Sequence, residues 1–433
     1  MIFKDALRSL KNDMSRSFFY WLTFLLATTF SLLFFSIASQ DEIGFTLLQA
    51  SNDTTTNITL FSIAVCMIEV FFANDFFIKT KSKALAIQLI CGAKFVQLAE
   101  YLLWQTFILL ALAIPCGILL AVGLIPIANV AISTYLHVNF IIHMNSTSFI
   151  GFGIVIVMLV FWTTYLNMAF AYRNNAFTLL NEHSVLTGVG TSLLASINVT
   201  KNENVKTSIN VIKGIGSLAL FILPLVLMFH APEDIFVLSM ASMAGFLFTT
   251  TNVIVPGISY LMHHVFINKP AALTFFGFLR TDIRIMRANV ILIVISSVLM
   301  ISTLVTSQDS SMVMMLVLLG YIVINLLLAL SIMFKFSTDI LNRKKYFITM
   351  GQLGYMPNAL HKIIFGETTI FYLYVIISTM IPIGSIFALL YNLGSMDLNV
   401  ILFLVGCFLV PVLLCFVVTI VYYFNTVKYK DEK

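Results

Sequence analysis

When the apolar segments of this chain are read as membrane spans, all 24 Lys and Arg residues fall on one side of the membrane. Ten segments are each about 20 residues long, enough to cross a hydrocarbon core as a helix. They lie near 18–38, 58–78, 98–123, 149–171, 211–230, 236–262, 289–306, 312–334, 368–391 and 399–424. With both termini inside, every basic residue sits in 1–17, 79–97, 172–213, 263–288, 335–367 or 425–433. The outer connections carry only the acids Asp41, Glu42, Asp53, Glu233, Asp234, Asp309 and Asp397. Positive residues are retained on the cytoplasmic side during insertion, and here the rule holds without exception. An apolar content of 60% with 10% charged residues excludes an ordinary soluble domain. The expected fold is an all-α polytopic membrane protein with both termini cytoplasmic.

The net charge of +5 would suggest nucleic acid in a soluble chain. Here the positive residues are anchors that face anionic lipid, and no nucleic-acid partner is expected. Cys66, Cys91, Cys116, Cys407 and Cys415 all avoid the outer connections, so no disulfide is expected. No CxxC pair or Cys/His cluster offers a metal site.

The first residues superficially resemble a signal peptide, with Lys4, Arg8, Lys11 and Arg16 before an apolar run. That run exceeds the roughly 7–15 residues of a signal core, so a retained first span is expected. Residues 1–17 alternate apolar and basic positions at helical spacing, which predicts an interfacial helix. The outer segment 124–148 contains Pro126 and the apolar stretch IANVAISTYLHVNFII. It is expected to lie on the outer leaflet or re-enter it. His137 and His143 sit there, as a pair for metal or pH sensing or as two solvated histidines.

Two cytoplasmic segments share one plan. The first runs Lys79-Thr80-Lys81-Ser82-Lys83, then ALAIQLICGAKFVQLAEYLLWQ; the second runs Asn342-Arg343-Lys344-Lys345, then YFITMGQLGYMPNALHKIIFGE. Matching Gly92 to Gly354 sets an offset of 262, at which Ala93 meets Tyr355, Glu100 meets Lys362 and Gln105 meets Glu367. Each has a basic start, a short apolar helix, a Gly break, an amphipathic stretch and a span. The pattern predicts a parallel internal duplication. The expected organisation is an interfacial helix (1–17), a first unit (18–171), a loop (172–210), central helices (211–306), a second unit (307–424) and a tail (425–433).

No motif supports catalysis. Nothing matches GxxxxGK[ST], and GVGTSLL at 188–194 lacks the lysine that would hold a phosphate. No HExxH or GxSxG occurs in a plausible context. The polar stretch 172–210 is too short for an ATPase domain. If the chain moves a substrate, energy must come from a partner or an ion gradient. The ionisable residue expected deepest in the membrane is Glu69, in IAVCMIEVFFAND. Its insertion costs roughly 2.5–3.5 kcal/mol. Two readings stand: a proton or substrate contact, or a neutral packing residue.

The segment LAIQLICGAKFVQLAEYLLWQTFILLALAIPCGILLAVGL (85–124) resembles the FtsX/MacB-like ABC transporter permease superfamily. Gly92-Ala93-Lys94 occupies the place of the family's Gly-Ala turn, and Gly117 lies in the Gly-rich span that follows. Gln88 departs from the family's acid and arginine, and the second copy has Tyr355-Met356-Pro357 after Gly354. Ten spans with two such units resemble the Bce-type subgroup, which handles antimicrobial peptides in Gram-positive bacteria. That subgroup carries a large extracellular domain between helices 7 and 8. Here the connection is only Ser307-Gln308-Asp309-Ser310-Ser311, which displaces substrate capture to 124–148 or a membrane groove.

The resemblance implies a non-enzymatic permease in a bacterial plasma membrane. It would be driven by a cytoplasmic ATPase dimer that binds the ATP and Mg, no cofactor being held by this chain. The expected task is to expel or extract an amphipathic peptide or lipid-like substrate, conferring resistance or immunity. One alternative is an ATP-driven signal relay to a membrane sensor kinase; another is an ion-coupled carrier using Glu69. Under the first two, the cytoplasmic helices are levers that contact the ATPase and transfer its force. The expected lever residues are Lys83, Leu85, Ile87, Leu89, Gly92 and Ala93 in the first copy, and Tyr346, Ile348, Met350, Gly354 and Tyr355 in the second.

Overall fold

The computed structural model describes residues 2–39, 54–135, 142–174, 179, 206–231, 235–266, 268–306, 311–352, 354, 356–394, 396 and 398–427. Every regular element among them is helical: α1 (Ile2–Asn12), α2 (Met14–Ala38), α3 (Thr54–Thr80), α4 (Ser82–Ile90), α5 (Phe95–Tyr135), α6 (Ser146–Arg173), α7 (Lys206–Leu227), α8 (Ile235–Thr249), a π-helical turn (Thr250–Ile254), α9 (Val255–His264), α10 (Pro270–Thr306), α11 (Ser311–Gln352), α12 (Pro357–Asn392) and α13 (Leu398–Val427). Apolar runs of this length, placed where water cannot satisfy the backbone, have the helix as their only open-ended solution. Nine stretches among the described residues are long and apolar enough to cross a membrane. The expected tenth, at 211–230, falls in α7, whose apolar stretch is the shorter Ile212–Leu227. Lys213 near one end and the turn at His230 beyond the other limit it.

Three boundaries differ from the sequence expectation. Pro126 does not end a helix: α5 passes through Pro115 and Pro126 to Tyr135, so 124–135 extends the span. The stretch 270–288, expected as a cytoplasmic connection, is the first half of α10. The second cytoplasmic helix is continuous with its span, because α11 runs unbroken to Gln352. In the first copy the chain breaks at Lys81 between α3 and α4.

The chain divides into two compact units. The first holds residues 1–186 with 303–338; the second holds 187–302 with 339–433. In the first unit α2 packs against α3, α5 and α6, and its residues are largely buried. Its hydroxyls are satisfied locally: Thr29, Ser31 and Ser36 each donate to the carbonyl four residues back, at 2.7, 2.7 and 2.8 Å. This back-bonding satisfies the hydroxyl donors of polar side chains inside an apolar bundle. A longer polar chain links four helices. Tyr20 Oη donates to Asn74 Oδ1 (2.6 Å), Asn74 Nδ2 to Asn167 Oδ1 (3.2 Å), and Asn167 Nδ2 to Thr106 Oγ1 (3.0 Å).

In the second unit α7 and α8 pack closely, and α12 packs on α13 and α8. Gly245 makes the first contact possible. A Cβ there would stand 2.4 Å from the Leu220 carbonyl carbon and the Phe221 nitrogen. Gly245→Ala is therefore expected to cost about 1–3 kcal/mol, because backbone cannot retreat as a side chain can. A lowered thermal midpoint in detergent would show it. Gly153→Ala, whose Cβ would meet nothing within 4 Å, serves as the control.

Candidate functional site

Both short links expected to hold levers turn at a glycine of positive φ. In the first, α4 ends at Ile90 and Gly92 adopts φ +94°. The Ala93 amide donates to the Gln88 carbonyl and the Gly92 amide to the Leu89 carbonyl, both at 3.0 Å. These are the two bonds of a Schellman stop, which needs a left-handed residue that only glycine supplies cheaply. The next helix starts at once. The Gln97 side chain accepts from the Lys94 amide at 2.9 Å, half of a capping box.

In the second elbow Gly354 adopts φ +96° and donates to the Gly351 carbonyl at 3.1 Å. Met356 is extended, and Pro357 opens α12 at a position where a missing amide hydrogen costs nothing. Tyr355 lies outside the described residues.

The expected lever residues divide by face. Leu85 and Ala86 are buried on Ile78, Leu98 and Leu102, with Leu89 and Ala93 packed against that core. Ile87 is 58% exposed, and Ile90, Phe95 and Val96 also face outward. The Lys83 side chain lies outside the described residues. In the second elbow Phe347 is buried on Ile340, Leu360, Ile363 and Ile364, with Met350 packed against them. Tyr346 is 57% exposed and Met356 74%, and Ile348 faces outward too. Each elbow therefore has a buried heel and an exposed apolar tip. Leu85 thus lies on the buried face and Ile87 on the exposed one.

Two buried ion clusters lie beside the elbows, and sequence reading missed both. Lys81, between α3 and α4, donates to Asp13 at the α1–α2 junction and to Ser9 Oγ at 3.0 Å. Burial lowers the Lys81 pKa below that of an ordinary lysine, and the Asp13 carboxylate opposes that shift. In the other unit, Arg343 of α11 donates through Nη2 to Asp282 of α10 at 2.6 Å and through Nη1 to Glu367 of α12. The Phe278 ring lies 4.6 Å from the guanidinium carbon. Asp282 and Glu367 are completely buried.

Glu69 sits inside α3 with no exposed surface. Neither carboxylate oxygen has a partner at hydrogen-bond geometry, although the Ser331 hydroxyl is close enough to interact. Among the described residues no group of three His, Cys, Asp or Glu is placed to hold a metal ion. His143 is exposed, and His137 lies outside the described residues. The five cysteines are free.

No protein-family model matches the chain, and no curated protein matches it.

Proposed function

We propose that the chain is the membrane permease of an ABC transporter, in which a separate cytoplasmic ATPase dimer presses on the two glycine elbows. One observation supports this reading most. Two links in different units end in the same left-handed glycine stop, and each turns an apolar tip outward beside a buried heel. A plain connector needs neither the repeated stop nor the exposed apolar tip. A helix fixed at both ends to long spans moves them when it is pushed.

On this reading the cargo is an amphipathic peptide or lipid-like molecule taken from the outer leaflet, in a bacterial plasma membrane. The short connection at 307–311 suits a substrate that arrives sideways through lipid. The test is purification from the native host in mild detergent, with co-purifying proteins identified by mass spectrometry. A stoichiometric ATPase is expected. A monodisperse chain without one would overturn the proposal.

The isolation of Glu69 supports a second reading, an ion-coupled carrier. A buried carboxylate without geometric hydrogen bonds is one that a proton or cation can neutralise. Glu69→Gln separates the two. Under the permease reading it retains coupled activity and folds at least as well, because a neutral amide replaces an acid in a dry site. Under the carrier reading it abolishes activity that needs no ATPase.

A further inference from the structure

The two ion clusters occupy matching places in the sequence. At the offset of 262 that relates Gly92 to Gly354, Lys81 falls on Arg343. The buried cores of the two elbows follow the same offset: Ile78 with Ile340, Leu85 with Phe347, Leu102 with Ile364. The acids match as well. Asp13 precedes its cation by 68 residues and Asp282 by 61. The difference of seven arises between the acid and its cation, where both the connection and the helix lengths differ: α2 ends at Ala38 and α3 begins at Thr54, whereas α10 ends at Thr306 and α11 begins at Ser311. Upstream of that connection the register still holds. Ile2 and Ala6 of α1 lie against the first core, and Ala271 and Phe275, each 269 positions later, lie against the second.

We propose that Lys81 and Arg343 are equivalent positioning residues of a duplicated unit that spans α1–α6 and α10–α13. Each clamps its elbow to the helix before it, and the first clamp is built to release while the second stays shut. The duplicated unit thereby gains a helix at its start: α1 with α2 corresponds to α10. The clamps differ in three ways. Lysine makes a point contact to one carboxylate, whereas arginine forks between two. The Asp13 side chain is 37% exposed, whereas Asp282 and Glu367 have no exposed surface. The first elbow also has a break in its helix at Lys81, whereas α11 is continuous across Arg343. A pair with one partner reaching water is screened by salt more than a dry, forked one and opens more readily.

Describing the elbows as levers rests on the permease reading; the clamps do not, and the test uses this chain alone. The experiment is amide hydrogen exchange on the full chain in lipid nanodiscs, at low salt and in roughly 0.5 M KCl, well past the ~0.1 M at which exposed charges are screened. The expected result is several-fold faster exchange over 82–93 in high salt and no change over 346–352. Lys81→Gln should raise exchange over 82–93 at low salt and abolish the salt response, while Lys81→Arg restores protection. If Lys81→Gln does not insert, Asp13→Asn gives the same reading from the water-facing partner. Equal salt response at both elbows would overturn the asymmetry. Unchanged exchange in the Lys81 and Asp13 variants would overturn the clamp. Neither result bears on whether an ATPase binds.

Discussion

Under the proposed permease reading, Gly92→Val is expected to leave the chain folded and inserted while uncoupling it from the partner ATPase. A Cβ at Gly92 would meet nothing within 4 Å, so the substitution causes no collision. What it changes is the backbone. Gly92 holds φ +94°, and a β-branched residue there costs about 1–3 kcal/mol of strain. The local escape is to open the stop, losing the Ala93-to-Gln88 and Gly92-to-Leu89 bonds and freeing α4 from α5. A lever with a loose elbow still docks but no longer moves its span. The expected measurement is ATP hydrolysis by the reconstituted complex that no longer responds to substrate, with unchanged amounts of folded permease. Gly92→Ala should show a weaker form of the same defect. Fully coupled Gly92→Val would remove the lever from the account.

Arg343→Met is expected to produce the largest loss of stability of any single change in the second unit. It removes the guanidinium that Asp282 and Glu367 both hold in a dry site. Breaking such a cluster costs about 3–5 kcal/mol, a large share of the roughly 5–15 kcal/mol that holds a domain together. Little folded protein should survive extraction into detergent. Arg343→Lys should recover only part, because an ammonium cannot fork between two carboxylates. Combining Arg343→Met with Asp282→Asn and Glu367→Gln should restore most of the thermal midpoint, since the neutral set leaves no buried charge. A single Arg343→Met variant as stable as wild type would show that the carboxylates are already neutral. Lys81→Met should cost less, because Asp13 turns into water when its partner is lost.

The elbows were legible in the sequence because a glycine closing an apolar helical run favours a left-handed stop, and one stands at 92 and another at 354, although the second run proves continuous with its span. The helical class was legible because apolar runs of span length admit no other structure. Helix lengths were not. The third span reads as ending near 123, yet α5 continues through Pro126 to Tyr135, and the basic residues Arg280, Arg284 and Arg287 read as a connection although they ride on α10. Charge shows which side of a membrane a residue prefers and says little about whether the backbone stays helical there.

The ion clusters were hidden for a different reason. Arg343 joins partners 61 and 24 residues away, and no local pattern marks such a pairing. Glu367 was visible only as the residue that aligns with Gln105. The signal that would have found the ion clusters is the expected repeat, carried upstream to ask which acid precedes each cation at a comparable distance. Glu69 stood out as an isolated acid in an apolar run, and its complete burial agrees with that reading while leaving its role to the Gln variant.

The proposed permease requires a soluble ATPase that touches the elbow tips, and that contact can be measured directly. A photo-crosslinking amino acid placed at Ile87 and at Tyr346, both exposed, would be activated in cells of the native host. The adducts would be identified by mass spectrometry. The account predicts one nucleotide-binding ATPase captured from both positions, and not from Leu85, which is buried. Adducts to lipid alone from both tips, with no ATPase at either, would contradict it.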